Sequence, residues 1–237
     1  MRKIQVLLSF MIASIFVVAC SHEEVQLKKS KGFGTVHSEY FKAYEGLNEQ
    51  EKTIYYKPVS IDQLPDTLPI AVKQKLKIIE QGHLPFTVDE QLAYVTKFKH
   101  DGVMKHAVQL SYIKKNEYDS IDQFFNISIT ESDKNPLLNY QYTETKDSVG
   151  NELKQVALTD DTFIYQQIIT TDGGLLYTYY DEIDSEISAV GTQANELYAY
   201  HKGYIYHFGY SVSPEVNDEQ LHDDLLALAK AFILADA

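Results

Sequence analysis

The sequence predicts an α+β fold, a mainly antiparallel sheet of about seven or eight strands with an N-terminal and a C-terminal helix packed on it. Three observations predict it. Several stretches alternate apolar and polar residues with period two, the mark of a strand with one covered and one polar face. Glycine-containing dipeptides, Asp172-Gly173 and Lys202-Gly203, separate β-rich runs. The last twenty or so residues switch to helical spacing behind a capping signal.

The chain opens on Arg2 and Lys3, followed by an almost wholly apolar run over residues 4–19. That is the charged and apolar layout of a secretory signal peptide, and it is shorter than the roughly 20 apolar residues a spanning helix needs. The run ends Val17-Val18-Ala19-Cys20, which resembles the lipobox of bacterial lipoproteins. The resemblance implies that Cys20 receives a diacylglycerol and becomes the first residue of the mature protein. Cys20 is the only cysteine, so the chain makes no internal disulfide and no multi-cysteine zinc site. Two acyl chains supply the paired signal that stable anchoring requires. The expected organisation is a signal peptide over 1–19, a lipidated tether over 20–58 and a single α+β extracytoplasmic domain over 59–237. The tether contains the basic, glycine-containing "KKSKGFG" at 28–34 and room for one short helix near 38–47.

Within the domain, "DTLPIAVKQKLKIIEQGH" offers Thr67 as N-cap, Pro69 in the first turn, an apolar stripe of Val72, Leu76 and Ile79, and Gly82 as terminator. It predicts the N-terminal helix. Three strands follow from alternation: Val108, Leu110 and Tyr112 against Gln109 and Ser111; Phe125, Ile127 and Ile129 against Asn126, Ser128 and Thr130; and Leu138, Tyr140 and Tyr142. Asp172-Gly173 predicts one hairpin and Lys202-Gly203 a second. In the second, a two-residue loop puts Tyr204, Tyr206, Phe208 and Tyr210 on the face of Leu197 and Ala199. A three-residue loop puts them with Tyr198 and Tyr200 instead, making a face of six aromatics. The chain closes with "VNDEQLHDDLLALAKAFI": Asn217 as cap, Gln220 completing the capping box, Val216 stapled to Leu221, and Leu221, Leu225, Leu228 and Phe232 facing the sheet.

"HLPF" (83–86), "AYVTKF" (93–98), "AVQLSY" (107–112), "FFNISIT" (124–130) and "DEQLHDDLLALAKAFI" (218–233) together resemble an uncharacterised extracytoplasmic domain family. That family occurs in lipoproteins and anchored membrane proteins of spore-forming Gram-positive bacteria. The likeness spans roughly residues 75–235. It implies an extracytoplasmic α+β domain and carries over no catalytic residue.

The net charge is −13, and it becomes −15 when residues 1–19 leave, taking Arg2 and Lys3 and no acid. Such a chain is repelled by phosphodiester backbones and anionic head groups, which disfavours nucleic acid as a partner. The expected partners are the membrane, through the lipid on Cys20, and a peptide, glycan or protein. No cofactor, metal site or catalytic residue is expected. His201 and His207 do not converge in either hairpin register. The acids Asp181, Glu182, Asp184 and Glu186 lack the spacing and glycine of a calcium loop. "GYSVS" departs from a nucleophile elbow at its last position. The residue type that stands out is tyrosine, eighteen in all and without tryptophan. Tyr177, Tyr179, Tyr198, Tyr200, Tyr204, Tyr206, Phe208 and Tyr210 form the candidate ligand face, either core beneath the helices or partly open as a groove. The expected function is a non-catalytic binding or sensing module anchored outside the cell membrane. The alternatives are a structural or partner-binding component of an envelope or sporulation complex, and third a wall- or peptide-directed hydrolase.

Overall fold

The computed structural model describes residues 27–36, 53–64, 68–100, 102–173 and 176–235. The expected signal peptide, Cys20 and the expected helix near 38–47 lie outside the described residues.

The first strands are short: β1 (Lys29–Ser30), β2 (Gly32–Phe33), β3 (Ile54–Tyr56) and β4 (Val59–Ser60). Most of them fall in the stretch expected to be tether. Long strands follow as β5 (Glu90–His100), β6 (Val103–Lys115), β7 (Ile121–Glu131), β8 (Glu152–Ala157) and β9 (Phe163–Ile168). The last four are β10 (Leu176–Ile183), β11 (Glu186–Gln193), β12 (Asn195–His201) and β13 (Tyr204–Ser211). They build a ten-stranded sheet in the order β1-β3-β5-β6-β7-β13-β12-β9-β8, with β4 also on β5, and a three-stranded sheet in the order β10-β11-β2. The pairing is antiparallel except between β11 and β2. The α+β class with a mainly antiparallel sheet therefore stands, with more strands than expected and in two sheets.

One face of the large sheet is apolar. Val95, Val108, Ile129, Tyr206, Ala199, Ile164 and Val156 lie side by side across seven strands. They pack beneath α2 (Glu219–Leu234) and a strap over residues 61–88 that contributes Ile61, Leu68, Val72, Ile79, Leu84, Phe86 and Val88. The N-terminal helix expected over residues 67–82 shrinks to one turn, α1 (Ile70–Lys73). The chain then leaves the helical path, and the Ile79 N–H donates to the Tyr112 hydroxyl at 2.8 Å. The irregular strap lays Ile79, Leu84 and Phe86 into the core; tertiary burial outweighs local propensity.

The second helix forms as expected, with its cap displaced by one residue. Asp218, not Asn217, accepts from the Leu221 N–H at 2.9 Å. Gln220 bonds forward to Asp224 rather than back to the cap, and Val216 stays exposed rather than stapling to Leu221. The buried stripe is His222, Leu225, Leu226, Ala229, Phe232 and Ile233, with Leu221 and Leu228 at its flanks. Among the described residues no helix is long and apolar enough to cross a membrane.

Two other expectations change. The Leu138, Tyr140 and Tyr142 segment is an irregular loop, broken where Asn135 Oδ1 accepts from the Leu137 N–H in a turn at Asn135-Pro136. Asp172-Gly173 is no hairpin turn: β9 pairs with β8 and β12, while the next strand, β10, pairs with β11 in the other sheet. Asn151, fully buried, holds this crossing. Its Oδ1 accepts from the Thr170 and Thr171 N–H groups and its Nδ2 donates to the Gly173 carbonyl.

Candidate functional site

The second face of the large sheet sets the polar chemistry of the molecule. One residue along each strand from the apolar row lies the row Tyr94, Gln109, Ser128, His207, Tyr198, Tyr165 and Gln155. Beside it run Ser111, Asn126, Gly209, Glu196 and Gln167. The alternation in "AVQLSY" and "FFNISIT" predicts this face as polar and open; it is instead buried, with Ser111 and Asn126 each 1% exposed. The cover is the small sheet. Gln109 Oε1 accepts from the Tyr180 N–H at 2.7 Å, and its Nε2 donates to the Tyr180 carbonyl at 2.8 Å. The side-chain amide thus pairs with the edge of β10 as a neighbouring strand would, satisfying two backbone groups that β11 cannot reach. Tyr94 adds a hydrogen bond to Asp181 at 3.2 Å.

Between the sheets, the Nε2–H of His207 donates to Glu196 Oε2 at 2.8 Å. Tyr198 stacks on the imidazole at 3.9 Å between centroids and Tyr177 meets its edge at 4.8 Å. Burial, reinforced by the Glu196 charge, pushes the Tyr177 and Tyr198 hydroxyls well above the usual phenol range. The Tyr177 ring rests on Gly209, where an added Cβ would come within 2.2 Å of it; only glycine leaves that space. The Tyr177 hydroxyl approaches the Asn126 amide without reaching hydrogen-bond geometry, and His207 Nδ1 and Ser128 Oγ have no hydrogen-bond partner. The Glu196–His207 pair has acid-base character, but the sheets close over it: the two side chains are 9% and 3% exposed.

The candidate aromatic residues are divided between the two faces. Loop geometry decides this: His201 pairs with Tyr204, so the turn has two residues, Lys202 and Gly203, both at positive φ. Tyr204, Tyr206, Phe208 and Tyr210 therefore share the face of Leu197 and Ala199, all buried in the main core. Tyr198 and Tyr200 point the other way with His207, and the face of six aromatics does not form. Tyr177 is fully buried; half-buried Tyr179, pushed up to about 12 by burial and by Asp181, stacks on Phe124 at 5.5 Å. His201 and His207 occupy opposite faces, as the two-residue register required. Asp184 and Ser185, both at positive φ, form the β10–β11 turn inside the acidic stretch. No group of three or more metal-ligating side chains occurs among the described residues.

What the aromatic residues do build is a cleft elsewhere. The 133–146 loop folds over the free end of the polar face, and Tyr140, Tyr142 and Tyr165 meet edge-on with centroids 5.0 to 5.4 Å apart. The Tyr165 hydroxyl, raised by burial, donates to the Tyr140 carbonyl at 2.7 Å, and the Tyr200 hydroxyl donates to the Ser132 carbonyl at 3.3 Å. Between this loop and the β8–β9 turn lies a cleft of about 90 Å³. Asn135, Leu137, Leu138, Tyr140, Gln141, Gln155, Asp161, Thr162, Phe163, Tyr165 and Tyr200 line it. Two apolar side chains stay in solvent at its border, Leu138 at 75% and Phe163 at 42% exposure. Of the expected ligand face only Tyr200 lines this cleft. Sequence reading missed the rest because it laid Tyr140 and Tyr142 in a strand; the Asn135-Pro136 break was the available signal. No family model, curated protein or solved structure matches the chain.

Proposed function

We propose that this chain is a lipid-anchored, extracytoplasmic binding module that recognises its ligand in the cleft beneath the 133–146 loop and performs no chemistry on it. The lipobox-like Val17-Val18-Ala19-Cys20 supports the anchor. The observation that carries the binding reading is the pairing of a concave, tyrosine-lined site with exposed Leu138 and Phe163. Apolar groups left in water beside a few convergent polar groups are what a ligand site presents. A separate observation favours a binder over a hydrolase: the Glu196–His207 pair is buried between the sheets.

A second reading, a partner-binding component of an envelope or sporulation complex, draws support from Val103 and Met104. Both are exposed at the tip of the β5–β6 hairpin. Two experiments test the first reading. Labelled palmitate should enter the wild-type chain and not Cys20→Ser, which should leave the membrane fraction. Native mass spectrometry of chain purified gently from cells should show an extra mass that Phe163→Ala loses. A ligand retained by Phe163→Ala but lost on altering Val103 and Met104 would favour the second reading.

A further inference from the structure

We infer that the cleft takes the ring of an uncharged saccharide; this rests on the binding reading above and names its ligand class. The first argument is charge. Asp161 is the single ionisable acid or base of ordinary pH among the lining residues, so nothing there selects a strongly charged ligand even though the whole chain is acidic. The second is the mixture of groups. Phe163 leaves 42% of its surface in solvent, and a pyranose has one face of C–H bonds that stacks on an aromatic ring while its hydroxyls point outward. Hydroxyls need donors and acceptors at the border. Asn135 Oδ1 is taken by the Leu137 N–H and Gln155 Oε1 accepts from the Tyr142 N–H, so each amide presents its NH₂ group as donor. Asp161 accepts from Thr159 through Oδ1, and its second oxygen remains an acceptor.

The third argument separates a ring from a peptide strand. An extended peptide binds most simply by adding to a sheet edge, and β8 is the edge beside the cleft. The first part of that edge, at Glu152 and Leu153, is already taken by the chain itself, which leaves only a short stretch for a strand to join. The Leu153 N–H donates to the Thr145 carbonyl at 2.8 Å, and Lys146 pairs with Glu152. What remains open is small, about 90 Å³.

The test is saturation-transfer NMR on the lipidated full chain in micelles, with chitotriose, maltotriose and cellotriose as saccharide probes and a proline-rich decapeptide as competitor class. At least one saccharide should show saturable transfer at about 10 mM or below, strongest on its C–H face. Phe163→Ala and Gln155→Ala should each weaken it at least tenfold while melting within a few degrees of wild type. Transfer from the decapeptide alone, sensitive to Phe163→Ala, would overturn the saccharide class and keep the cleft. Saccharide binding unaffected by both substitutions would overturn the placement. No transfer from any probe at about 10 mM would overturn both.

Discussion

The two faces of the large sheet use the same strands and are built on opposite principles. Val95, Val108, Ile129, Tyr206, Ala199 and Ile164 face α2 and the strap; their immediate neighbours Tyr94, Gln109, Ser128, His207, Tyr198 and Tyr165 face the small sheet and the 133–146 loop. The first interface needs little more than apolar area, which is stabilising in proportion to what leaves water and is tolerant of direction. The second buries amides, hydroxyls and a carboxylate, each of which costs free energy unless a partner stands in the right place. The consequence is a division of labour. The apolar face supplies stability, while the polar face specifies one position for the small sheet, through contacts such as Gln109 on Tyr180.

Substitutions can break or sharpen that contrast. Phe208→Ala on the apolar face should cost the most, about 4 kcal/mol of global stability by denaturant unfolding, since Phe208 is fully buried against Phe125 and Phe232. Glu196→Ala on the polar face should cost about 3 kcal/mol, because it leaves the His207 donor buried and unpaired. A cost near zero there would mean the polar face opens to water and is no true interior. Gln109→Leu removes both partners of the Tyr180 backbone and should cost about 2 kcal/mol. Its signature is local: hydrogen exchange should quicken at Tyr180 in β10 while β6 and β7 stay protected.

His222 is the titratable intruder on the apolar face. Burial, then the nearby Lys154, lowers its pKa, and the Tyr210 hydroxyl, held protonated by its own burial, donates to Nδ1 at 2.8 Å. Because the folded value lies below the unfolded one of 6.5, stability is full above that pH. It is lost as pH falls toward the folded value, where the unfolded chain binds the extra proton. The unfolding midpoint of wild type should drop between pH 7.5 and pH 5.5 by more than that of His222→Gln; equal drops would remove His222 from the account. The smallest effect is expected at Ser128→Ala. The hydroxyl it deletes is buried without a partner, so stability should change by about 0.5 kcal/mol or less.

How far these features could be read beforehand depended on whether their cause was local. The alternation in "AVQLSY" and "FFNISIT" identified which residues share a face, and that division holds residue for residue in β6 and β7. Lys202-Gly203 marked a tight turn, and both residues take the left-handed backbone that turn demands. The capping region of α2 was right within one residue. The candidate cleft was not legible. It brings Leu138 and Tyr140 of an irregular loop to Phe163, Tyr165 and Tyr200 of two strands that are not neighbours in sequence, and no local spacing encodes that meeting. Tyrosine enrichment did not tell which tyrosines enter the core and which line the cleft, because a strand tyrosine packs equally well on a core face or beside a cleft.

The sequence by itself determined what adjacent residues settle: strand periodicity, the two-sided character of each long strand, the tight turn at Lys202-Gly203 and the capped final helix. Tertiary structure decided what covers each side. Asp172-Gly173 looks like a hairpin turn over a few residues, yet the chain crosses there to a second sheet, because Gln109 and the polar row need a partner some seventy residues away. Likewise the strap over 61–88 keeps one helical turn, and an irregular path lays Ile79 and Phe86 into the core. Hydrogen bonds within a turn are set by the residues of that turn, whereas burial is a property of whichever surfaces meet, and those meet only when the whole chain has folded.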